Sequence, residues 1–549
     1  MRNRFLKALS LLAVVGTAAA STNVGLGRKG YLRTQSEKPQ DLDVDPSTIY
    51  PAYNLSVPID HFHNDTRYAP HSNSTFPLRY WFDASHYKKG GPVFVLGSGE
   101  ASGEERLPFL QKGLIAQLAQ ETNGIAVVLE HRYYGTSIPT PDLSTESLRF
   151  LTTEQALADA AYFAKNIVFP GFEDQSITAH DTPYIAYGGS YAGAFVAFLR
   201  VVYPEVYFGA ISSSGVTEAI IDYWQYWEPI RKYAPRECVN TNLKFTQIID
   251  NLASHKSDFA ALKGLFGLQN LTYANDFASI LNEPLTAWQN RNWDPAIDDP
   301  TFFQFCGNIT SNSALFSETA SRTTEAQRLV AAAGFKNESK QLTTRLLNYV
   351  GWLNQTVLWP CIGEGQSADS CFSTHDYSFY LQDDISQDWR SWDYQVCTEW
   401  GFYQTGSGTP KNELAMISRL IDVDYLSIAC RYAFNITSPP DVQRVNKYGG
   451  FGISYPRLAI IGGQADPWRE STPLADAAKP RKNTINRPVV EIEGAVHHWD
   501  ENGLFPNETS PTLPPAPVAN AQEYEHVFIK DWLKAWSRQR RNIDQTTFE

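Results

Sequence analysis

The turn that most constrains the fold of this chain is the segment Gly188-Gly189-Ser190-Tyr191-Ala192-Gly193. An apolar run typical of a buried strand, Tyr184 to Tyr187, leads into it, and residues 191–203 favour a helix. The chain can pass this sharply from strand to helix only where small residues flank the turn, as Gly188 and Ala192 do here. The arrangement is typical of a parallel sheet whose strands are joined by helices.

Six further apolar runs have the length and composition of strands, and they fall into two groups along the chain. They are Leu78 to Phe82, Pro92 to Leu96, Gly124 to Leu129, Phe208 to Ile211, Arg457 to Ile461 and Val489 to Ile492. The region between the groups favours helices, as in Leu243 to Ala253 and Gln327 to Val350, and a last helix is predicted near residues 522–538. We therefore predict one α/β domain in two parts, residues 51–215 and 441–549, interrupted by a helical insertion at 216–440.

The N-terminal residues have the three parts of a secretory signal. These are a positive start (Arg2, Arg4, Lys7), a short apolar run (Ala8 to Val15) and small residues at a cleavage point (Ala18 to Ala20). We expect residues 1–20 to be a signal peptide and residues 21–50 to be a leader or propeptide. No later run reaches about 18 uncharged apolar residues, so no membrane anchor is expected.

Potential glycosylation sites and cysteines agree with secretion. N-x-S/T sequons occur at Asn54, Asn64, Asn73, Asn270, Asn308, Asn337, Asn354, Asn435 and Asn507. The cysteines are Cys238, Cys306, Cys361, Cys371, Cys397 and Cys430, all within the predicted insertion. An even count in an oxidising compartment predicts three disulfides. No pair has C-x-x-C spacing, so we expect no metal and no other cofactor.

The charge balance argues against a nucleic acid partner. The chain has 46 Lys plus Arg against 59 Asp plus Glu, for a net charge of −13. A protein that binds phosphate backbones normally carries a basic face, and the basic run here is confined to residues 538–541. The predicted location is extracellular, with a vacuole or lysosome-like compartment as the alternative.

Ser190 has two candidate partners further along the chain. A serine raised on such a turn becomes a nucleophile when a histidine takes its proton and a carboxylate orients the histidine. In sheets of this kind the chain order is Ser, then Asp or Glu, then His. Asp466 follows the run that ends at Ile461, and His497 follows the run that ends at Ile492. We predict that Ser190 is the nucleophile, Asp466 the orienting residue and His497 the base, with His498 as the alternative base.

Two backbone regions are candidates for an oxyanion hole. The N–H of Tyr191 lies at the start of the predicted helix, where it would face a developing oxyanion. A second donor should come from the loop after an earlier strand, and Ser98 and Gly99 occupy that position.

Five segments resemble the lysosomal Pro-X carboxypeptidase and dipeptidyl peptidase II family, peptidase family S28. They are Glu130 to Pro139 (EHRYYGTSIP), Gly188 to Tyr191, Gln395 to Gly401 (QVCTEWG), Asp466 to Trp468 and Gly494 to His498. When the predicted strand at residues 92–96 is included, the resemblance extends over residues 92–500. One departure is Val496, an extra residue before the His-His pair, which could shift the local register by one.

The resemblance implies an α/β-hydrolase fold with a helical insertion that caps the site, and cleavage after proline. It implies the same triad, with His497 as the base, a structural role for His131, and a disulfide between Cys397 and Cys430. A proline before the scissile bond needs an apolar slot, because its ring is rigid and lacks an N–H. Trp468 is the candidate wall of that slot; the alternative is that Trp468 only packs in the hydrophobic core. Glu100 is a candidate to bind a free α-amine of the substrate.

We therefore predict a secreted serine exopeptidase, a carboxypeptidase or dipeptidyl-peptidase, that cleaves peptides or proteins containing proline through an acyl-enzyme. A second copy of the chain is a further candidate partner. The alternatives are a secreted carboxylesterase or lipase on the same fold and a non-catalytic hydrolase-like binding protein. The first alternative would lack the EHRYYG and CTEW segments, and the second usually lacks a triad residue.

Overall fold

The computed structural model describes residues 45–546, with side chains to residue 540. The predicted signal peptide, and residues 21–44 of the predicted leader, lie outside the described residues. Residues 45–50 are described: a short 3₁₀ helix, Pro46–Thr48, precedes Tyr50, whose side chain is buried. Tyr50 donates a hydrogen bond to the carbonyl of Leu110, so the chain is packed on the rest of the protein from this point on.

Ten strands occur in the described residues, eight of them in one sheet. They are β1 Tyr53–Pro58, β2 Thr75–Asp83, β3 Val93–Gly97, β4 Ile125–Leu129, β5 Tyr184–Gly189, β6 Tyr207–Ser213, β7 Ile220–Asp222, β8 Gly401–Tyr403, β9 Leu458–Gly463 and β10 Val489–Ile492. The large sheet has the order β1-β2-β4-β3-β5-β6-β9-β10, and β7 pairs with β8 separately. β1, β2 and β4 pair antiparallel, and the pairs from β4 to β10 are parallel.

This sheet confirms the predicted α/β-hydrolase fold. Each predicted strand run overlaps one strand of the large sheet. Every residue of β4 is buried, as expected for an interior strand of a sheet covered by helices. β1 was not predicted, although Asn54 and Ser56 alternate with Leu55 and Val57 as expected for an edge strand with one solvated face.

Helices connect the strands and make up most of the chain between β6 and β9. The α-helices are α1 Pro108–Gln111, α2 Leu114–Thr122, α3 Thr153–Asn166, α4 Ser190–Val202, α5 Glu228–Tyr233, α6 Arg236–Ala253, α7 Lys256–Leu265, α8 Ala274–Ile280, α9 Glu283–Thr286, α10 Thr301–Thr310, α11 Thr323–Val330, α12 Ser339–Leu353, α13 Trp359–Ile362, α14 Ala368–Phe372, α15 Tyr377–Tyr380, α16 Trp389–Gln395, α17 Val423–Leu426, α18 Ile428–Phe434, α19 Gln443–Asn446 and α20 Ala516–Thr546. A π-helical turn, Val396–Trp400, continues α16.

The single helix predicted from Gln327 to Val350 is two helices, α11 and α12. Gly334 has a φ of 101° in the turn between them. A right-handed helix cannot continue through a residue in this region, which glycine enters more readily than other residues.

α20 fixes the C-terminal part of the chain to the sheet. Its predicted face of Tyr524, Phe528, Trp532 and Trp536 is buried at Phe528 and Trp532. A Cβ on Gly209 of β6 would lie 2.7 Å from the Trp532 ring, so only glycine lets the helix pack this closely. No helix in the described part of the chain is both long and apolar enough to cross a membrane.

The sequons lie at accessible positions. Seven of the nine asparagines are exposed, and Asn308 and Asn354 are half-buried. Their glycosylation stays a prediction.

Three disulfides join elements of the helical part of the chain between β6 and β9 (the helical segment), as predicted. Cys238–Cys306 connects α6 to α10, Cys361–Cys371 connects α13 to α14, and Cys397–Cys430 connects the π-helical turn to α18. The third is the pairing that the family resemblance implied. All six cysteines are paired.

The disulfides should differ in how much they stabilise the fold. Cys238–Cys306 spans a sequence separation of 68, and Cys361–Cys371 spans 10. Because a longer loop loses more unfolded-state entropy when closed, replacing the first pair with serines should cost about 4 kcal/mol and the second about 3 kcal/mol. Urea unfolding of the two double variants checks the order. A larger loss for the Cys361–Cys371 pair would contradict it.

Candidate active site

Ser190 lies at the junction of β5 and α4 with a φ of 58°, a left-handed conformation that residues other than glycine seldom adopt. A Cβ on Gly188 would lie 2.3 Å from the carbonyl oxygen of Ala192, and one on Gly193 would lie 2.6 Å from that of Ser213. Both positions therefore require glycine. The structure confirms the tight strand-to-helix turn and adds Gly193 to the two small residues that the sequence singled out.

Asp466 and His497 form a buried pair. Asp466 lies in the loop after β9 and His497 in the loop after β10. Nδ1 of His497 is 3.0 Å from Oδ1 and 2.9 Å from Oδ2 of the carboxylate, and both residues are less than 5% exposed. Nδ1 therefore carries the proton that is donated to Asp466, which leaves the lone pair of the ring on Nε2.

Nε2 of His497 is buried and has no hydrogen-bond partner among the described residues. Burial lowers the pKa of His497, and the adjacent Asp466 carboxylate opposes this effect only in part. The imidazole is therefore held neutral, in the tautomer that can accept a proton at Nε2.

His498 faces a different carboxylate. Its Nδ1 lies 2.8 Å from Oε2 of Glu501, and its backbone N–H donates to Oγ of Ser214. A Cβ on Gly189 would lie 3.0 Å from the His498 ring. The loop after β10 that carries both histidines, residues 493–502 (the histidine loop), therefore lies directly against the strand-to-helix turn. The extra Val496 is fully buried, and His497 is the residue paired with Asp466. Glu501 was missed, although its i, i+3 spacing from His498 is a usable signal.

The structure separates the two residues proposed for the second oxyanion donor. The backbone N–H of Ser98 donates to the carbonyl of Leu129 at 3.0 Å, so it is committed to the sheet. Gly99 has a φ of 72°, and a Cβ there would touch Ala192 at 3.4 Å. Gly99 is therefore the better-placed donor of the two, and the prediction for the Ser98 N–H is corrected for this reason.

The side chain of Tyr191 connects the turn to two of the family-like segments. Gln395 of α16 donates to its hydroxyl at 2.9 Å, and the hydroxyl is also 2.9 Å from Nε2 of His131. Nδ1 of His131 donates to the carbonyl of Arg132, and burial lowers the pKa of His131 to about 4. The neutral ring therefore accepts from Tyr191. The rings of Trp392 and Trp400 meet the Tyr191 ring edge to face.

Trp468 is buried in an aromatic cluster next to His497. It stacks on Tyr223 at 5.4 Å, meets Tyr226 and Phe402 edge to face, and its ring centre is 6.5 Å from that of His497. Its indole N–H and the Tyr226 hydroxyl both donate to Oε1 of Gln289. Nε2 of Gln289 is buried with no partner in the described part of the chain.

Glu100 follows Gly99 in the loop after β3 and is half-buried. Burial raises the pKa of its carboxyl, and the nearby charges of Arg106 and His498 oppose the shift. Glu100 is therefore within the electrostatic reach of His498.

One group of side chains in the described residues has the composition of a metal site. The ligand atoms of Asp60, His63 and His71 lie within 4.8 Å of one another. Nδ1 of His71 is already hydrogen-bonded to Asp60 at 2.7 Å. These residues belong to the connection between β1 and β2, whereas the triad candidates follow β5, β9 and β10.

Known proteins with similar sequences are serine peptidases. Residues 58–512 match the family model described as serine carboxypeptidase S28. The chain is 52% identical to the probable extracellular serine carboxypeptidase of Arthroderma benhamiae, over 97% of this chain and 74% of that protein. It is 28% identical to serine protease vicPa of Bipolaris victoriae (78% and 80% covered) and 25% identical to the thymus-specific serine protease of Mus musculus (87% of each covered).

These matches decide between the predicted peptidase and the alternative esterase or lipase. They also agree with the predicted extracellular location, as do the three disulfides. The family model covers the strand-to-helix turn, the helical segment and both loops that carry the Asp466–His497 pair. With its Ser190 turn and its Asp466–His497 pair inside that match, the chain belongs to the serine carboxypeptidase S28 family of serine peptidases.

Proposed function

We propose that this peptidase cleaves the bond after a proline residue, with Ser190 as nucleophile, His497 as general base and Asp466 as the residue that orients His497. One observation carries the proposal. The buried His497 ring donates Nδ1–H to Asp466 and keeps an unpartnered Nε2, in a loop packed against the turn that presents Ser190.

The reaction follows from this tautomer. As Oγ of Ser190 attacks the carbonyl carbon of the substrate, Nε2 of His497 takes the hydroxyl proton and then gives it to the leaving amine. The resulting acyl-enzyme is hydrolysed when His497 activates a water in the same way. The backbone N–H groups of Tyr191 and Gly99 stabilise the tetrahedral oxyanion. Tyr191 is in the first turn of α4, where N–H groups have no intrahelical acceptor.

An aromatic cluster beside His497, whose rings are buried in this structure, is the basis for the choice of proline. Trp468, Tyr223, Tyr226 and Phe402 gather apolar surface beside His497. A proline ring buries well against such surface and needs no acceptor for a backbone N–H. In this proposal the indole of Trp468 forms one wall of the slot.

We further propose exopeptidase action. The family description and the name of the Arthroderma benhamiae relative favour removal of C-terminal residues. Glu100 offers the alternative of holding a free α-amine, which would give dipeptide release. The masses of the products from one peptide with a single internal proline distinguish the two modes.

Ser190→Ala should abolish turnover and leave the fold intact. Removing the nucleophile of a triad costs several orders of magnitude in rate. The assay is mass spectrometry of a proline-containing peptide after incubation with each protein, with circular dichroism as the check on folding. Ser313→Ala, at an exposed serine, is the matched control and should keep full activity. Turnover by folded Ser190→Ala would overturn the assignment.

The pH dependence of kcat/KM should report the protonation of His497. Since the base must be neutral, kcat/KM falls as pH drops through its pKa, and burial places that midpoint below the ordinary histidine value of 6.5. His497→Ala should remove turnover, and His498→Ala should retain part of it. A midpoint above 6.5, or loss of turnover in His498→Ala alone, would contradict the assignment.

Trp468→Ala should reduce kcat/KM for proline substrates by roughly ten- to a hundredfold, the scale for apolar contacts in a pocket. An analogue with alanine before the scissile bond should lose less, because it fills less of the slot. Trp359→Ala, at a tryptophan that is 70% exposed, is the control. Equal losses on both substrates would mean that Trp468 supports the fold and does not select proline.

A further inference from the structure

Two buried carboxyl groups lie where α20 packs against the histidine loop. Asp500 is in the loop, three residues after His497, and Glu525 is on α20. Both side chains are fully buried. Glu525 lies in the stripe of α20 that faces the protein interior, between the buried residues Ala521 and Phe528. A carboxyl group at the centre of an apolar helix face requires a physical explanation.

Asp500 ties the histidine loop to the sheet. The hydroxyl of Tyr187 on β5 donates to its Oδ2 at 2.8 Å, and Oγ of Ser213 on β6 donates to its Oδ1. α20 also holds the loop backbone, because Nε2 of Gln522 donates to the carbonyls of Asp500 and Asn502 at 2.9 and 2.7 Å. The loop that positions His497 is therefore fixed by β5, β6 and α20 together.

Glu525 has no comparable donors. Neither of its buried carboxyl oxygens receives a hydrogen bond from an N–H or O–H of the described residues. Glu525 is three residues after Gln522 on the same helix, and Gln522 donates to the Asp500 carbonyl, so the two acidic residues are neighbours; the charge that acts on Glu525 is that of Asp500. A buried carboxylate without donors is strongly disfavoured, and a second carboxylate beside it adds repulsion. A protonated Glu525 removes both problems, since its O–H can donate to Asp500.

We propose that Asp500 and Glu525 share one proton, and that Glu525 is a positioning residue which holds the histidine loop only while that proton is present. Asp500 then accepts three hydrogen bonds, from Tyr187, Ser213 and Glu525. The proposal rests on the triad proposed above for its effect on catalysis, and on burial and contacts alone for its effect on stability.

The raised pKa values of the two carboxyl groups and of Tyr187 support a shared proton. Burial and the adjacent Asp500 raise the pKa of Glu525 well above its ordinary range. Burial also raises the pKa of Asp500, while the Ser213 and Tyr187 hydroxyls oppose the shift. Burial raises the pKa of Tyr187 well above its ordinary value too, so this neighbour stays a neutral donor.

The remaining ionisable groups near the pair are already engaged with other partners. On the loop, Glu501 pairs with His498, and His497 pairs with Asp466. Further along α20, His526 and Lys530 pair with Glu121 of α2.

The sign of the pH effect follows from the raised pKa. The unfolded chain loses the Glu525 proton above the ordinary value of 4.5, whereas the folded chain keeps it. The contribution of the pair to stability is therefore complete below pH 4.5 and declines as pH rises towards the pKa of the folded state. When the proton leaves, two carboxylates face each other, the loop separates from α20, and Nε2 of His497 moves away from Ser190.

Glu525→Gln tests the proposal, because the glutamine amide donates to Asp500 at every pH. Glu523→Gln, at an exposed glutamate on the same helix, is the matched control. Between about pH 5 and pH 8, the unfolding equilibrium constant of the wild type should rise, relative to that of Glu525→Gln, by up to about tenfold per pH unit. The ratio of kcat/KM for Glu525→Gln to that for the wild type should stay constant over this range. It should rise only at higher pH, where the folded wild type begins to lose the proton. Glu523→Gln should follow the wild type.

Two results would overturn the proposal. A ratio of unfolding constants that does not change with pH would show that no proton is held by Glu525. A kcat/KM ratio that stays constant even at the higher pH where the infrared band of the protonated carboxyl disappears would show that the pair does not position the histidine loop. Repeating the unfolding series in Ser190→Ala separates this proposal from the proposed triad, because that readout needs no catalysis.

Infrared spectroscopy of the wild type covers the case in which Glu525→Gln fails to fold. Native protein at about pH 8, above the ordinary pKa of every carboxyl side chain, should show the C=O stretch of a protonated carboxyl. This band should disappear on unfolding. Its absence from the native protein would also overturn the proposal.

Discussion

The backbone conformation at Ser190 is the constraint on which the rest of the site depends. A non-glycine residue with a φ of 58° is strained, and the surrounding structure has to hold it in place. Gly188 and Gly193 do so by allowing backbone contacts that a Cβ would prevent. The Tyr191 side chain adds the hydrogen bonds to His131 and Gln395, so the helical segment is joined to the turn at the residue next to the proposed nucleophile.

The histidine loop shows how a short segment can be fixed from several sides. His497 binds Asp466 in the loop after β9, and His498 binds Glu501 within its own loop. The Trp499 indole donates to the carbonyl of Arg291, and the carbonyl of Trp499 accepts from Trp293, both in the helical segment. Asp500 then binds the sheet. Four consecutive residues therefore have four different sets of partners. This leaves the His497 ring little freedom to rotate away from its hydrogen bond with Asp466.

The sequence predicted those parts of the fold and site that depend on local patterns. Apolar runs such as Tyr184 to Tyr187 lie in buried parallel strands, where both faces need apolar side chains. The three-residue strands β7 and β8 carry no such pattern and form because distant segments meet. Glu525 was missed for a related reason. It is a charged residue in a segment whose composition is typical of a protein surface, and only the fold brings a second carboxyl near it in the interior. The spacing of the cysteines likewise left their pairing open until the helices brought each pair together.

The position of α20 also orders events during synthesis. This helix follows every strand of the sheet and every proposed triad residue in the chain, yet Gln522 holds the loop that carries His497, and Trp532 closes over Gly209 of β6. A nascent chain that has passed into the secretory pathway as far as His497 has all three residues of the proposed triad but not the helix that steadies its base. The contacts that steady the proposed base are therefore completed only when the last helix of the described chain has been made.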